Sequence, residues 1–197
     1  MQGWFSKYII WVGIVFLLVM LSFFNWIKND RQLRNYETEV APHFKSFERP
    51  KNSFSISDIE ILGPSGNEIK LSHYYGRYLI INLWATWCAP CIKELPSLNK
   101  LNLELKAANR RWSVIAVSVD SKSNMGKMSA MVDRLGVADL AAYYDHRNTL
   151  QNTLKTNALP TTFIVSDSGK LLYIIKGDAI WHDPAVMELL ERIEHVY

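Results

Sequence analysis

The feature that most constrains this chain is a pair of cysteines, Cys88 and Cys91, which are the only two in 197 residues. They lie between an apolar, strand-like run at residues 78–84 and a helical stretch that begins at Pro90. The first thiol therefore lies at a helix N-terminus, where unpaired N–H groups and the helix dipole favour the thiolate. Because the thiolate is the nucleophile in disulfide exchange, the pair is a candidate redox centre.

Two simpler explanations of the cysteine pair fit the sequence less well. A zinc site needs four ligands, and the five histidines are scattered, with none near the pair in sequence. A purely structural disulfide would close a very short loop and remove little entropy from the unfolded chain. We therefore expect redox chemistry at this pair, without a metal.

An uncharged apolar segment, residues 8–27, precedes the rest of the chain. A helix of that length spans roughly 30 Å, the thickness of a bilayer core. Trp4, Trp11 and Trp26 lie near its ends, where aromatic belts form. A cleaved signal peptide would have a shorter apolar region followed by small residues, which residues 25–29 do not supply. We expect an uncleaved transmembrane anchor.

The charges on either side of the anchor bear on its orientation in the membrane. Only Lys7 lies in the tail formed by residues 1–7, whereas Lys28, Arg31 and Arg34 follow the anchor closely. The positive-inside rule alone would therefore place the large domain in the cytoplasm. The tail is short, so the rule has little to count on that side.

The remainder of the chain divides into a tether and one domain. Residues 28–52 are polar and mixed in charge, and we interpret them as a tether in which residues 31–40 can continue the helix. Residues 53–197 have the length of one ordinary domain. The net charge is +3 without a long run of like charges, so nothing indicates a nucleic-acid partner.

Hydrophobic periodicity predicts an α/β order of elements in the domain, with a parallel β-α-β unit around the cysteines. The predicted elements are a hairpin (54–62 and 68–71), a buried strand (78–84), a helix from 90, a buried strand (112–119), a helix (124–135), a short strand (141–144), a helix (147–155), a closing hairpin (161–166 and 170–176) and a helix from 184 to about 196.

This order of elements around Trp-Cys-Ala-Pro-Cys resembles the thioredoxin fold. The resemblance is closest to the membrane-anchored, thioredoxin-like disulfide reductases of the bacterial periplasm, the TlpA/ResA/DsbE type, and covers roughly residues 54–181. The matching stretches are residues 82–91, Glu-Leu-Pro at 94–96, Ser-Val-Asp at 118–120 and Pro-Thr-Thr-Phe at 160–163. The resemblance implies a central mixed sheet flanked by helices, with an N-terminal β-hairpin and a helical insertion.

The resemblance also implies roles for the residues of the motif. Cys88 is the exposed, attacking thiol, and Cys91, one turn deeper, resolves the mixed disulfide. Ala89 and Pro90 restrict the turn, and a proline at a helix start loses no useful N–H. Trp87 shields the site and contacts partners.

Two further site residues follow from the resemblance. In the resembled fold the proline before the next-to-last strand, here Pro160, is cis and faces the cysteines. The backbone of Leu159 then pairs with an extended substrate. The sequence by itself favours an ordinary trans proline.

Glu94 matches a family glutamate, whereas Asn82 stands where thioredoxins proper have a buried aspartate. A partly buried Glu94 has a raised pKa and accepts the Cys91 proton; the alternative is a solvated surface glutamate.

These inferences predict a thiol–disulfide oxidoreductase that reduces selected disulfides in periplasmic proteins and needs no cofactor. In an oxidising compartment the resemblance implies a membrane electron donor of the DsbD/CcdA type, beside which an inner-membrane anchor would hold the chain. Cytochrome c maturation is one possible use. However, members dedicated to it have Pro-Glu-Thr where this chain has Pro160-Thr161-Thr162, which favours a general reductase.

Other functions use the same residues. A disulfide oxidase or isomerase has the same motif, because direction depends on the potential relative to the compartment. A peroxiredoxin fits less well, since its threonine position is Ala85 here. A copper-handling protein would use the cysteines and the thioethers of Met125, Met128 and Met131, although that spacing also suits a helix core stripe. A tethered module that traps clients without turnover is the last alternative.

Overall fold

The larger of two compact units in the chain, Ala41–Met187, is built on a mixed β-sheet. The computed structural model describes residues 2–56, 59–137, 140–145 and 147–197, and in this part of the chain eight strands pair in the order β1-β8-β7-β4-β5-β6-β2-β3. The strands are β1 (Ser46–Glu48), β2 (Glu60–Leu62), β3 (Glu68–Lys70), β4 (Tyr78–Trp84), β5 (Trp112–Ser118), β6 (Ala141–Tyr144), β7 (Thr161–Val165) and β8 (Leu171–Lys176).

Five α-helices accompany these strands in the described residues. They are α1 (Gln2–Val40), α2 (Ala89–Ala107), α3 (Met125–Leu135), α4 (Thr149–Thr153) and α5 (Pro184–Val196). Contacts divide the chain into two compact units: α1 together with Glu188–Tyr197 forms one, and Ala41–Met187 forms the other.

The first unit contains the apolar N-terminal helix. This helix, α1, is long and apolar enough to cross a membrane, and it fits a membrane anchor or a signal sequence. It continues without a break beyond residue 27 to Val40. Leu33 and Tyr36 are buried in its last turns, and the Arg192 guanidinium lies 4.5 Å from the centre of the Tyr36 ring.

The centre of the sheet explains why the redox motif lies where it does. Strand β4 is buried along its whole length between β5, which is parallel to it, and β7, which is antiparallel. A continuous apolar run is typical of a strand covered on both faces. Alternate residues of β4, among them Ile81 and Leu83, pack in one core with Val117 and Phe163 from its neighbours. The strand ends at Trp84, four residues before Cys88.

The order of the predicted elements is confirmed, and the largest differences in length are in the first hairpin and in α4. The first hairpin pairs only β2 with β3, and residues 57 and 58 of the predicted strand lie outside the described residues. Helix α4 has five residues rather than the predicted nine, because Asn148 and Lys155 on either side of it adopt positive φ angles of 54° and 50°.

The segment predicted as a tether is folded where it follows α1. After a 3₁₀ turn at Ala41–His43, β1 pairs antiparallel with β8 at the edge of the sheet. The Phe47 ring stacks on Tyr173 with 4.9 Å between centroids and on Phe44 with 5.4 Å. The second compact unit therefore begins near residue 41, before the domain start predicted at residue 53.

The role of β1 can be tested with two fragments. We expect the fragment 41–197 to be more stable than the fragment 53–197 by at least about 2 kcal/mol, because the shorter one loses the pairing of β1 and the burial of Phe44 and Phe47. Urea unfolding followed by circular dichroism measures the difference. Equal unfolding midpoints for the two fragments would contradict the packing of β1 described here.

Candidate active site

The two cysteines form a disulfide at the start of α2. Their Sγ atoms are 2.01 Å apart and their Cα atoms 5.3 Å apart. Cys88 is the N-cap residue of the helix, and Cys91 lies in its first turn. Cys88 is 5% exposed and Cys91 is fully buried. Both cysteines are therefore buried in this disulfide form and the predicted exposure of Cys88 is not observed, although Cys88 is the more accessible of the two. Ala89 and Pro90 form the first helical positions, where the proline needs no N–H.

The residues predicted to contact substrate lie at the same end of the sheet as the disulfide. Trp87 is 70% exposed immediately before Cys88. The Leu159–Pro160 peptide bond is cis, as the resemblance implies. β7 begins directly after it, with Thr161 opposite Leu83 near the end of β4. The proline therefore borders the strand end from which the redox motif continues.

Glu94 is buried one turn beyond Cys91, with 2% of its surface exposed. Its Oε1 accepts a hydrogen bond from Asn82 Nδ2 at 2.8 Å. Its Oε2 accepts from the Ala179 backbone N–H at 3.0 Å and from Trp181 Nε1 at 2.9 Å. The carboxyl thus joins β4, α2 and the segment after β8, and the alternative of a solvated surface glutamate is wrong.

Burial sets the protonation of this carboxyl. Desolvation is the largest effect, and it raises the pKa of Glu94 to about 7. The hydrogen bonds from Trp181, Asn82 and Ala179 lower the pKa, and the nearby charge of Asp178 raises it. A group with a pKa near the ambient pH both accepts and releases a proton readily. The raised pKa of Glu94 agrees with the prediction from the sequence.

A cavity of about 560 Å³ borders the Glu94 carboxyl. Its walls come from the segment before β1, from Lys93 and Ser97 of α2, and from the segment after β8. At this cavity Lys45 forms an ion pair with Asp178. The Glu94 side chain is therefore adjacent to the cavity although only 2% of it is exposed.

A second buried carboxylate holds the segment in front of the cysteines, and no role for it was predicted from the sequence. Asp120 is 3% exposed and accepts hydrogen bonds from the Thr86 N–H (2.8 Å), the Thr86 hydroxyl (2.9 Å) and the Ser118 hydroxyl (2.9 Å). The carboxyl ends of the parallel strands β4 and β5 meet at one edge of the sheet. A polar residue after each of these strands was therefore the sequence signal that could have indicated the contact between Thr86 and Asp120. Asp120 thereby fixes the chain two residues before Cys88.

The methionine stripe of α3 is divided between the interior and the surface. Met128 is buried, Met131 is half-buried, and the side chain of Met125 lies outside what the structure describes. The sulfur of Met131 accepts a hydrogen bond from Arg134 Nη2 at 2.7 Å. Within the described residues, no group of three or more His, Cys, Asp or Glu side chains is placed to hold a metal ion.

Comparison with known proteins agrees with this geometry. The sequence model of the AhpC/TSA family matches residues 41–174, more than half of the chain. The chain belongs to the AhpC/TSA family. A relative in this thioredoxin-like family, the thiol-disulfide oxidoreductase ResA of Geobacillus thermodenitrificans, is 31% identical over 142 residues, which cover 72% of this chain and 74% of the relative. ResA of Bacillus anthracis is 29% identical over 126 residues, covering 64% and 67%.

Solved structures agree on the fold of this AhpC/TSA family member. A DsbF homologue from Corynebacterium diphtheriae superposes with a TM-score of 0.61 at 19% identity, covering 76% of this chain and 92% of that one. The exposed lipoprotein thioredoxin Etrx1 of Streptococcus pneumoniae gives 0.57 at 24% identity, covering 68% and 98%. The thioredoxin fold and the ResA/DsbE type are thus confirmed, and the chain is a thiol–disulfide oxidoreductase.

The buried carboxyl makes stability depend on pH in a defined direction. The pKa of Glu94 is higher in the folded chain than its ordinary value of 4.5, so its contribution to stability is full below about pH 4.5 and is lost as the pH rises through about 7. We expect Glu94→Gln to remove this loss, because Gln does not ionise and its oxygen can accept from Trp181 and Ala179. Asn82 now donates to this position through Nδ2, so its amide must turn over for Oδ1, which has no hydrogen-bond partner, to accept from the new amide.

The measurement is urea unfolding of the oxidised chain at pH 4.5 and pH 8.5. The stability of Glu94→Gln relative to the unsubstituted chain should increase by about 3 kcal/mol between the two pH values. Glu104→Gln, which removes a carboxylate elsewhere on α2, is the matched control. A difference that does not change with pH would contradict the buried, titrating carboxyl.

Proposed function

We propose that this oxidoreductase works as a reductase of selected protein disulfides outside the cytoplasm. The observation that carries this proposal is the buried Glu94 carboxyl on the helix face of Cys91, three residues beyond it. A reductase must complete the attack of its resolving cysteine, and that attack requires the Cys91 thiol to lose its proton. Glu94 is placed to accept that proton, whereas the direction of net electron flow depends on the reduction potential of the cysteine pair relative to its compartment.

The reaction begins from the dithiol form. The Cys88 thiolate, stabilised by the N-terminus of α2, attacks one sulfur of the client disulfide; a Cys88–client bond forms and the other client sulfur leaves as a thiolate. Glu94 accepts the Cys91 proton, and the Cys91 thiolate then attacks Cys88 Sγ and expels the second client thiolate. Two electrons pass to the client, and the chain is left with the disulfide between Cys88 and Cys91.

The client is positioned by the groups at the same end of the sheet. We assign the backbone of Leu159, beside the cis Pro160, to pairing with an extended client segment. Trp87 offers an exposed ring next to Cys88, and Ala89 and Pro90 offer a surface without charge at the helix start. This arrangement suits clients whose disulfide lies on an accessible, extended segment.

The dithiol must be restored after each turnover. We assign this step to a membrane dithiol protein of the DsbD/CcdA type, which returns two electrons by the same exchange. The apolar helix α1 supports an inner-membrane location beside such a donor, with the folded domain on the periplasmic side. The cluster of Lys28, Arg31 and Arg34 after the apolar segment argues for the opposite side, so sidedness needs a direct test.

Removal of the resolving cysteine should trap clients. With Cys91→Ala in the full chain, the Cys88–client bond has no internal thiol to break it, so mixed disulfides with clients should accumulate. They are detected as reductant-sensitive high-mass bands on non-reducing gels. Cys88→Ala is the matched control and should trap none. Absence of trapped clients in Cys91→Ala would count against exchange through Cys88.

Sidedness and direction can be tested together in spheroplasts. We expect the thiols of the full chain to react equally with a membrane-impermeant and a membrane-permeant maleimide, because a reductase is kept in the dithiol form outside the cytoplasm. Reaction with the permeant reagent alone would place the domain in the cytoplasm. Reaction with neither, followed by reaction after dithiothreitol, would show a resident disulfide and contradict a reductase.

A further inference from the structure

A second groove lies beside the segment that precedes the cysteines. It has a volume of about 430 Å³ and is lined by Thr86 and by Lys127, Ala130, Met131 and Arg134 of α3. The four helix residues are spaced i, i+3, i+4 and i+7, so they form one face of α3. None of them has a part in the reaction described above.

The charge of this groove is positive. Lys127 and Arg134 lie one at each end of the helix face, and the Arg134 guanidinium is held along it by its 2.7 Å hydrogen bond to the Met131 sulfur. Among the side chains that the structure describes, no carboxylate lines the groove. Asp120 lies behind Thr86 but is 3% exposed and already accepts three hydrogen bonds. Asp133 lies about 100° around the helix from Arg134.

The position of the groove connects it to the client. Thr86 forms its wall two residues before Cys88, and the exposed ring of Trp87 lies between them in sequence. A polypeptide whose disulfide is in contact with Cys88 therefore has residues adjacent to its cystine within reach of this face of α3. The apolar side chains of Ala130 and Met131 can contact the aliphatic parts of those residues.

We propose that this groove binds an acidic segment of the client next to its disulfide, and so selects clients by charge. The proposal rests on the reductase function proposed above. Carboxylates of the client would pair with Lys127 and Arg134 across an apolar floor, which strengthens the attraction relative to open solvent. Complementary charge of this kind acts mainly on the association rate and weakens with salt.

The test uses the reduced full chain in detergent and two synthetic peptides. Each peptide contains one disulfide, and they differ only in three flanking residues, which are Glu in one and Lys in the other. At low ionic strength we expect the acidic peptide to be reduced roughly fivefold faster, and the difference to shrink with salt. The double variant Lys127→Glu/Arg134→Glu should reverse the preference.

The matched control is Lys51→Glu/Lys100→Glu, which makes the same change in net charge elsewhere. Lys51 follows β1 at the end of the sheet opposite the cysteines, and Lys100 lies eleven residues into α2 from Ala89. This control should keep the preference for the acidic peptide. Loss of the preference in the control would assign it to net charge and overturn the groove.

The remaining outcomes separate the two proposals. Equal reduction of both peptides by the unsubstituted chain, or an unchanged preference in the Lys127/Arg134 variant, overturns the groove and leaves the reductase function. Failure of the reduced chain to react with either peptide overturns the reductase function and this proposal with it. If circular dichroism shows that the charge-reversed variant is unfolded, Lys127→Gln/Arg134→Gln replaces it; there the preference should disappear, and its persistence overturns the proposal.

Discussion

Burial of the Glu94 carboxyl among three N–H donors is the interaction on which the rest of the site depends. The donors come from Asn82 in β4 and from Ala179 and Trp181 after β8, so one side chain joins three parts of the fold beside the resolving cysteine. Taking a carboxylate out of water is unfavourable, and the hydrogen bonds recover only part of that energy. The remainder raises the pKa of Glu94 to about 7. The fold thus holds a carboxyl with a pKa near neutral beside the resolving cysteine, which is the property that the proposed proton transfer requires.

The two cysteines depend on a different set of contacts from the one that holds Glu94. Asp120 anchors Thr86 to the end of β5, and Cys88 then begins α2 with its thiol at the helix N-terminus. Since both anchors are buried carboxylates held by several donors, each is sensitive to loss of a single hydrogen-bond partner. The exposed ring of Trp87 lies between these two anchored positions, Thr86 and Cys88.

Most of the fold could be predicted from local sequence, whereas the environment of Glu94 could not. Tyr78–Trp84 and Ala141–Tyr144 agree with prediction to the residue because short apolar runs between turn signals define them. Strand β1 was missed because three residues carry no periodicity, and its place is set by pairing with β8 and by Phe47 on Tyr173. The spacing of Glu94 from Cys91 favoured a solvated side chain. Its burial depends on hydrogen bonds from positions 82, 179 and 181, which are far apart in sequence and are brought together only by the fold.

Donation of electrons from the cysteine pair to its clients is what defines the proposed reductase. The most direct test is the reduction potential of the Cys88–Cys91 couple in the full chain, measured by equilibration in dithiothreitol and glutathione buffers and quantified by thiol alkylation. A reductase should have a value in the thioredoxin range, about −270 mV or lower. A value of about −120 mV, typical of a strong oxidant, would reverse the direction of electron flow and contradict the proposed reductase function.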